Sequence, residues 1–295
     1  MTNAKLVLAI SSRALFDLKE SHSVFEKEGV EGYRKYQIKN ENNVLEPGNA
    51  FNFIQKLIAL NSDKKNPLVE IILLSRNSAD TGLRIFNSIQ KHDLGVVRAI
   101  FTGGKPPYKY ISALKSDLFL STDQDDVQQT IDVGFAAAIL LPSKSCNELN
   151  DQIRIAFDGD AVIFSDEAEK LFQEKGLEVF ETSEKDAAEM PLSGGPFAPF
   201  LRALHNIQKF YPQDKSPVRT ALVTSRGAPA HERVIKTLRK WDIHIDEALF
   251  LGGKEKGPFL KAFGADIFFD DQKNHCDSAR KHVATGHVPY GIKNK

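Results

Sequence analysis

The chain of 295 residues is poor in cysteine and has no surplus of either charge. With only two cysteines, Cys146 and Cys276, the chain fits a reducing compartment better than a disulfide scaffold, and neither cysteine lies in a metal-type Cys-x-x-Cys. Lys plus Arg and Asp plus Glu each number 39. The net charge therefore favours neither nucleic acid nor an anionic membrane as a partner.

Long apolar runs are also missing. The longest, around residues 133–141, is far shorter than the roughly 20 residues that span a bilayer. The N-terminal apolar stretch covers only residues 6–10, and no small-residue cleavage pattern follows it, so we expect no signal peptide. Together with 41% apolar and 26% charged residues, these absences predict a soluble, cytoplasmic enzyme.

What the sequence does contain is one pattern that occurs twice. The triplet at Ser75 aligns with the triplet at Ser225 at an offset of 150, and the glycine pair at Gly103 aligns with the pair at Gly252 at an offset of 149. Two upstream segments align at an offset of 147, namely 24–33 with 171–180 and 47–57 with 194–204. Because repeats determine architecture, we expect two similar domains in tandem.

The two copies differ where chemistry would require particular side chains. Matching the segments of the two copies places five polar features of the second copy opposite residues that lack them: Asp158 faces Ile10, Asp160 faces Ser12, Thr224 faces Leu74, Lys256 faces Pro107, and Asp270-Asp271 face Ser121-Thr122. We therefore expect residues 1–147 to form a degenerate repeat and residues 148–295 a catalytic one. The polar stretch 142–152 is the expected junction.

Short apolar runs alternate with amphipathic stretches in both halves, which predicts parallel sheets with helices on both faces and an α/β fold. The predicted strands are 5–10, 69–74, 97–101, 118–120 and 136–141 in the first half, and 153–157, 220–223, 247–251, 266–269 and 288–292 in the second. The second half also inserts a helix (167–175), a short extended piece (177–181) and a helix (200–210). We interpret residues 166–217 as a small cap over a site, or else as a peripheral elaboration.

Two carboxylates follow the first strand of the second copy directly. Asp158 and Asp160 flank a glycine at the carboxyl end of an apolar strand, where ligands bind in open α/β sheets. The alternative is an ordinary turn, since Asp and Gly favour turns. Asp270-Asp271 also end an apolar run, and adjacent carboxylates there cost electrostatic energy unless a cation or hydrogen bonds compensate, which suggests Mg²⁺. A solvated turn is the alternative for this pair.

A hydroxyl and a lysine complete the set. Thr224 ends another apolar run just before a helix, an arrangement that binds phosphate, although it could also cap that helix. Lys256 lies in a glycine-rich loop from which an ammonium can reach a phosphoryl group, and plain solvation is its alternative. Lys254 is the second choice for this role, but it aligns with a lysine of the degenerate copy, Lys105.

The order Asp-x-Asp, Thr, Lys, Asp-Asp resembles the four motifs of the haloacid dehalogenase superfamily of phosphatases. At closer range, the chain resembles the cytosolic 5'-nucleotidase I family over essentially its whole length. The segments that carry this resemblance are SSRALFD (11–17), SRNSADTGLRIFNSI (75–89), LFLSTDQDDV (118–127), FDGDAVIFSDEAE (157–169) and IFFDDQ (267–272). The resemblance implies two Rossmann-like units and hydrolysis of nucleoside 5'-monophosphates, notably AMP, with Mg²⁺.

The resemblance also implies a role for each motif residue. Asp158 would be the nucleophile that forms an aspartyl-phosphate, and Asp160 the acid and base. Thr224 and Lys256 would hold the phosphoryl oxygens. The Mg²⁺ ligands would be Asp158, the main-chain carbonyl of Asp160 and one carboxylate of Asp270-Asp271, for which we favour Asp270.

Substrate contacts are expected at four further residues of the second half, namely Ser225, Arg226, Gly195 and Phe197. Phe197 could stack on a purine, or it could be ordinary core. Arg13, in the loop that replaces the catalytic one, could bind substrate or a regulatory nucleotide, or be a structural remnant.

Two other functions, one enzymatic and one of binding alone, are alternatives to the nucleotidase hypothesis. One is hydrolysis of another small phosphomonoester such as a sugar phosphate, and the other is a regulator that binds nucleotides without turnover. The histidines and cysteine near the C-terminus (His275, Cys276, His282, His287) match no common zinc spacing, so we expect surface or helix-end positions for them. The sequence is compatible with a monomer or a homo-oligomer.

Overall fold

Ten short apolar segments form the strands of one large sheet in the computed structural model, which describes residues 6–63, 65–143 and 152–294. The strands of the first half are β1 (Leu6–Ile10), β2 (Val69–Ser75), β3 (Arg98–Phe101), β4 (Leu118–Ser121) and β5 (Ala137–Leu140). Those of the second half are β6 (Ile153–Phe157), β7 (Val218–Thr224), β8 (Glu247–Phe250), β9 (Ile267–Asp270) and β10 (Ala284–His287). Most are buried at every position or at all positions but one, which explains their continuous apolar sequences.

The strand order is β3-β2-β1-β4-β5-β10-β9-β6-β7-β8. Read inward from its own edge of the sheet, each half therefore has the same strand order, third, second, first, fourth and fifth. Strands within each half are parallel, and the halves meet at the antiparallel pair of β5 and β10. The parallel sheets expected for the two halves are thus one continuous, mixed sheet. Because the halves run in opposite directions, the carboxyl ends of their strands lie at opposite edges.

Eleven α-helices connect the strands of the described chain. Those of the first half are α1 (Ser12–Leu15), α2 (Lys19–Lys39), α3 (Phe51–Ala59), α4 (Ala79–Lys91), α5 (Ile111–Leu114) and α6 (Gln124–Asp132). Those of the second half are α7 (Glu167–Asp186), α8 (Ala198–Gln208), α9 (His231–Lys240), α10 (Gly257–Phe263) and α11 (Lys273–Ala279). None of the described helices is long and apolar enough to cross a membrane.

Helices α2 and α7 are interrupted at matching glycines. Gly29 has φ 68° and Gly176 has φ 79°, values that an L-residue rarely adopts, and both lie inside long helices. Helix α7 nevertheless continues on both sides of Gly176. The short extended piece predicted at 177–181 is therefore wrong, because the glycine bends the helix without ending it.

Two helices pack across the middle of the sheet. Helix α3 of the first half contacts β6, and α8 of the second half contacts β1. Lys56 of α3 forms a buried ion pair with Asp266 before β9, at 2.7 Å. Since α8 is part of this core, only α7 of the predicted cap segment 166–217 remains as a candidate cap.

The last strand differs from the prediction. The structure places it at Ala284–His287 rather than at 288–292. Gly286 packs against Phe269 and Ala138, where any side chain would collide with the Phe269 ring, so close strand approach defines this strand more than hydrophobicity does. The expected domain boundary between residues 147 and 148 lies outside the described residues, as does Cys146.

Candidate functional site

Three charged side chains meet at the carboxyl edge of the second-half strands. The Lys256 ammonium lies 2.8 Å from Asp158 Oδ1 and 2.7 Å from Asp270 Oδ2, and all three groups are buried. Asp158 follows β6, Asp270 ends β9, and Lys256 immediately precedes α10. Lys254, two residues earlier, is exposed. The structure thus brings Lys256, and not Lys254, against the carboxylates.

Burial and mutual charge interactions shift the pKa values of these three side chains. Burial raises the pKa of Asp158 to about 7, although the Lys256 ammonium opposes the rise. Burial also acts to raise the pKa of Asp270, but Lys256 and His275 hold it below its usual value. Burial acts to lower the pKa of Lys256, and the two carboxylates more than offset this, so Lys256 stays charged. Two buried carboxylates therefore share one buried cation.

Asp271 has an uncompensated carboxylate. Its Oδ1 is buried and has no hydrogen-bond partner among the described residues. Burial, with the nearby charges of Asp158 and Asp270, raises its pKa to about 9. Both oxygens of Asp270 are already bonded, to Lys256 and to the Gln272 N–H. An orphaned carboxylate oxygen in an acidic cluster fits a hard divalent cation.

The tightest group of metal-type ligands consists of Asp158, Asp270 and His275. Lys256 already donates to both of these carboxylates, so an ammonium occupies the space between them. The described residues thus offer an acidic cluster suited to a metal, with Asp271 Oδ1 rather than Asp270 as the free oxygen.

Thr224 and the loop after it lie beside the nucleophile candidate. A side chain at Gly159 would meet Thr224 Oγ1 at 3.3 Å, so this hydroxyl lies against the turn that carries Asp158. Thr224 Oγ1 accepts the Arg226 N–H at 3.2 Å, and the Ser225 carbonyl accepts the Gly253 N–H at 3.0 Å. These bonds hold the half-buried Ser225 at the strand end.

A π-turn at Gly159–Ile163 changes how the two halves align. Asp158 N donates to the Phe269 carbonyl of β9, as Ser11 N donates to the Leu120 carbonyl of β4. Asp158 therefore corresponds to Ser11 and not to Ile10. The extra residue lies in this turn, since Phe164 N donates to the Gly159 carbonyl across five residues where Phe16 N donates to the Ser12 carbonyl across four.

A second alignment error concerns the hydroxyl. Ser75 pairs with Phe101 as Thr224 pairs with Phe250, so Thr224 corresponds to Ser75 and not to Leu74. The hydroxyl at this strand end is thus present in both halves. The sequence comparison missed this hydroxyl because it aligned the two segments at an offset of 150 residues, whereas the strand register gives 149.

Arg226 connects Asp160 to helix α7. Its guanidinium donates to both oxygens of Asp160, at 2.8 and 2.7 Å, and also to Glu184 of α7, which in turn accepts from Arg233 at 2.6 Å. Phe180 of α7 lies 5.5 Å from the same guanidinium carbon. Although burial acts to lower the pKa of Arg226, Asp160 and Glu184 raise it. Arg226, which was expected to contact substrate, thus contacts protein carboxylates in the structure. Glu184 and Arg233 join this network, and the sequence analysis did not identify them.

Gly195 and Phe197, which were expected to contact substrate, pack against the protein itself. A side chain at Gly195 would lie 2.3 Å from the Phe164 carbonyl oxygen, so this position requires a close approach of two backbones. Phe197 is fully buried against Phe157 and Phe269. Of the two readings left open for Phe197, the packing corresponds to ordinary core.

Arg13 lies away from this group. It lines a cavity at the carboxyl edge of the first-half strands, together with Ser11 and Ser75. That edge is opposite to the one that carries Asp158. The structure therefore does not bring Arg13 together with the other residues expected to bind substrate.

Three of the four residues near the C-terminus for which surface or helix-end positions were expected lie beside the acidic pair, and one of them, Cys276, is buried. His275 Nδ1 lies 3.3 Å from Asp270 Oδ2, and the buried Cys276 thiol donates to the Asp270 carbonyl at 3.3 Å. His287 Nε2 lies 3.0 Å from the Asp271 carbonyl. Their spacing carried no signal, because these contacts with Asp270 and Asp271 arise only in the folded chain.

Comparison with known proteins identifies the family of the chain. A family model described as 5'-nucleotidase matches residues 1–295, and the chain belongs to that family. Over 302 residues it is 39% identical to cytosolic 5'-nucleotidase 1B of Homo sapiens, an alignment that covers 98% of this chain and 49% of that protein. The chain thus spans about half the length of this relative.

Among solved structures, histidinol dehydrogenase from Elizabethkingia anophelis covers 82% of this chain and 49% of its own, with 12% identity and a TM-score of 0.24. A similarity this low carries no information about fold or activity.

Proposed function

We propose that this chain hydrolyses nucleoside 5'-monophosphates, with AMP-like substrates preferred, to nucleoside and phosphate. The observation that carries the proposal is the contact of Lys256 with Asp158 at a strand end that also holds Asp160. An acidic nucleophile beside a buried cation suits attack on an anionic phosphoryl group. The family and the name of the human relative supply the substrate class.

In the proposed mechanism, an Asp158 oxygen attacks the phosphorus in line, and the bond to the ribose 5'-oxygen breaks. Asp160 donates a proton to that leaving oxygen, and later takes one from the water that hydrolyses the aspartyl-phosphate. Both Asp160 oxygens are bonded to Arg226 in the structure. Proton transfer therefore requires one of them to turn from Arg226 towards the substrate.

The remaining residues orient the phosphoryl group. Lys256 and Thr224 contact its oxygens, and the backbone around Ser225 and Gly253 keeps the Thr224 strand end in place. We propose that Asp158, the Asp160 carbonyl and Asp271 hold Mg²⁺, because Asp271 Oδ1 is the buried oxygen without a partner. When bound, Mg²⁺ supplies positive charge to the phosphoryl oxygens.

The wider assignment follows the same reasoning. Each half would be a haloacid dehalogenase-type unit, residues 1–147 without turnover and residues 148–295 catalytic. Helix α7 would be the cap, since Glu184 and Phe180 connect it to Arg226. We also propose a cytosolic location, in line with the name of the human relative.

Phosphate release from AMP, IMP, UMP and sugar phosphates, with Mg²⁺ and with EDTA, tests this function. We expect release from nucleotides that EDTA abolishes, and a loss of several orders of magnitude in Asp158→Asn. Asp214→Asn, an exposed aspartate, is the matched control. Turnover of sugar phosphates above nucleotides would select the broader phosphatase function, and no release from any substrate would contradict an enzyme.

A further inference from the structure

A cavity of about 610 Å³ opens in the first half, at the carboxyl edge of β1, β2 and β4. Its floor is made by the residues that follow these strands, and one wall comes from α2. It lies at the position that the second half uses for Asp158, Thr224 and Asp270, but on the opposite edge of the sheet. The cavity is thus the counterpart of the proposed catalytic site.

Hydroxyls on its floor stand where the second half has acids. Ser11 takes the position of Asp158, since each donates its N–H to the corresponding carbonyl of the neighbouring strand. Ser121 takes the position of Asp270, because Ser121 Oγ accepts the Asp123 N–H at 3.1 Å as Asp270 Oδ1 accepts the Gln272 N–H at 2.8 Å. The negative charge of the catalytic floor is therefore absent.

The phosphate-binding hydroxyl has been kept. Ser75 Oγ accepts the Asn77 N–H at 3.2 Å, the same contact and distance as between Thr224 and Arg226. The glycine loop also keeps its bonds, since Gly103 N donates to the Asn77 carbonyl at 3.0 Å. Ser75 begins the turn into α4, a helix of 13 residues, whose N-terminus favours an anion.

The ion pair of the catalytic half is replaced by neutral groups. Asn77 stands where Arg226 stands, and its Nδ2 lies 3.5 Å from the Ser12 hydroxyl where Arg226 contacts a carboxylate. Ser12 Oγ lies 3.0 Å from Ser75 Oγ. The floor therefore offers several neutral donors in one place and, among the described residues, no carboxylate at the positions of Asp158 and Asp270.

Two hydroxyls that line the cavity have no hydrogen-bond partner among the described residues. Ser11 Oγ and Thr122 Oγ1 are buried and make no hydrogen bond to any described residue, although both residues line the cavity. They stand where Asp158 and Asp271 stand in the second half. A buried hydroxyl without a partner costs free energy, which a bound oxygen-rich group would recover.

The charges around the cavity leave one cation available. Three acids line it: Asp80 pairs with Arg34 at 2.6 Å, while Asp126 and Asp123 both lie against Arg76, at 2.5 and 3.7 Å. Arg13 is exposed at the rim and forms no ion pair within the described residues. An incoming anion therefore meets Arg13 without an unpaired carboxylate opposing it.

Part of the α2 wall is apolar. Phe25 and Val30, on either side of the bend at Gly29, line the cavity and remain 44% and 72% exposed. Tyr33 lies beside them and donates its hydroxyl to Asn77 at 2.8 Å. Apolar side chains that stay exposed beside a polar floor suit a ligand with an anionic end and a planar or apolar end.

We propose that the first half binds a small phosphate ester with a planar or apolar substituent, without a metal and without turning it over. The phosphoryl group lies on the floor formed by Ser11, Ser75 and Ser121, with Arg13 at the rim, and the substituent lies against Phe25. The proposal rests on the proposed function only in taking the second-half floor as a phosphoryl site.

Calorimetric titration of the whole chain with AMP in excess EDTA tests this proposal. Metal-free conditions disfavour phosphate at the acidic second-half site and leave the neutral floor intact. We expect saturable binding of AMP, and binding of adenosine that is weaker by at least about tenfold, because adenosine lacks the charged group. Absence of saturable AMP binding in EDTA would overturn the proposal.

Two variants locate the site. Ser121→Asp puts a carboxylate on the floor and should weaken AMP binding by at least about tenfold, whereas Ser121→Asn, of the same size and neutral, should stay within about threefold. Arg13→Ala, at an exposed position that does not affect folding, should weaken binding by about tenfold. Equal AMP affinity in wild type, Ser121→Asp and Arg13→Ala would place binding elsewhere and refute the assignment.

This experiment and the test of the proposed function can fail separately. Titration in EDTA involves no turnover, and phosphate release with Mg²⁺ involves no measurement at the first-half cavity. Loss of turnover in Asp158→Asn together with unchanged metal-free binding in wild type and Ser121→Asp would support the enzyme and reject the second site.

Discussion

Arg226 donates to both carboxylate oxygens of Asp160, from Nε at 2.8 Å and from Nη2 at 2.7 Å. The same guanidinium donates to Glu184 of α7. The proposed acid is therefore connected by two buried contacts to a helix that lies outside the sheet. The position of Asp160 depends on α7 as well as on the strand that precedes it.

Replacing Glu184 with Gln should weaken this connection. Arg226 and Arg233 share Glu184, so removing its charge leaves two cations with less compensation. We expect the free energy of unfolding to fall by about 3 kcal/mol and kcat to fall by about tenfold, with a changed pH profile of kcat because Asp160 is held differently. Urea titration and kinetics with AMP measure both. Glu178→Gln, exposed on the same helix, should change neither, and equal behaviour of the two variants would contradict this role.

Replacing Lys256 with Met should remove the cation shared by Asp158 and Asp270. Two buried carboxylates would then repel each other, so we expect a loss of about 3–5 kcal/mol in unfolding free energy, together with loss of turnover. Lys254→Met serves as the control, since Lys254 is exposed. If Lys254→Met lost activity and Lys256→Met kept it, the lysine assignment would be reversed.

Replacing Asp271 with Asn should separate stability from metal binding. In EDTA we expect the variant to melt higher than wild type, because a buried carboxylate with no partner has been neutralised. Wild type should gain about 2.7 kcal/mol when Mg²⁺ is present at about 100 times its Kd, and the variant should gain much less. Thermal unfolding with and without Mg²⁺ measures this. An equal Mg²⁺ effect in both proteins would exclude Asp271 as a ligand.

Asp117 and Asp266 occupy matching positions in the two halves and differ in one partner. Each accepts a backbone N–H at 2.8 Å, from Val7 and Arg154 respectively, but only Asp266 has a lysine, Lys56. Burial raises the pKa of Asp117, and the Val7 N–H partly opposes the rise. The neutral acid is thus favoured in the folded state. Its contribution to stability is complete below the unfolded pKa and is lost as pH rises through the raised one.

Asp117→Asn should therefore be neutral or stabilising by up to about 1 kcal/mol at pH 7, since Asn still accepts from Val7, and the gain should vanish at low pH. Asp266→Asn should destabilise by about 3 kcal/mol at pH 7, because Lys56 loses its buried ion pair. Urea unfolding at pH 4 and pH 7 measures both. A larger loss for Asp117→Asn than for Asp266→Asn at pH 7 would contradict the argument.

Most strands and the α/β class could be predicted, because runs such as 153–157 are both apolar and bounded by polar turns. The strand Ala284–His287 could not, since its place depends on Gly286 fitting against Phe269. The helical stretch after Gly176 was missed because one glycine both bends and interrupts the periodic pattern.

The site shows the same division. Asp158, Lys256 and Asp270 were identified from their places at strand ends, which the local sequence reveals. Glu184 and Arg233 were missed, because their importance arises from contacts with Arg226 across long sequence separations. The position of Ser75 opposite Thr224 was misread, since a single inserted residue is visible only in the strand register.

The sequence alone determined that the chain is a repeated α/β protein with carboxylates at the strand ends of its second half, because hydrophobic runs and their polar endings are local properties. Only the tertiary structure decided that the halves share one sheet and point their strand ends to opposite edges. That outcome depends on the antiparallel contact of β5 with β10, which no local pattern encodes. The same contact separates Arg13 from Asp158 and gives the first half a cavity of its own.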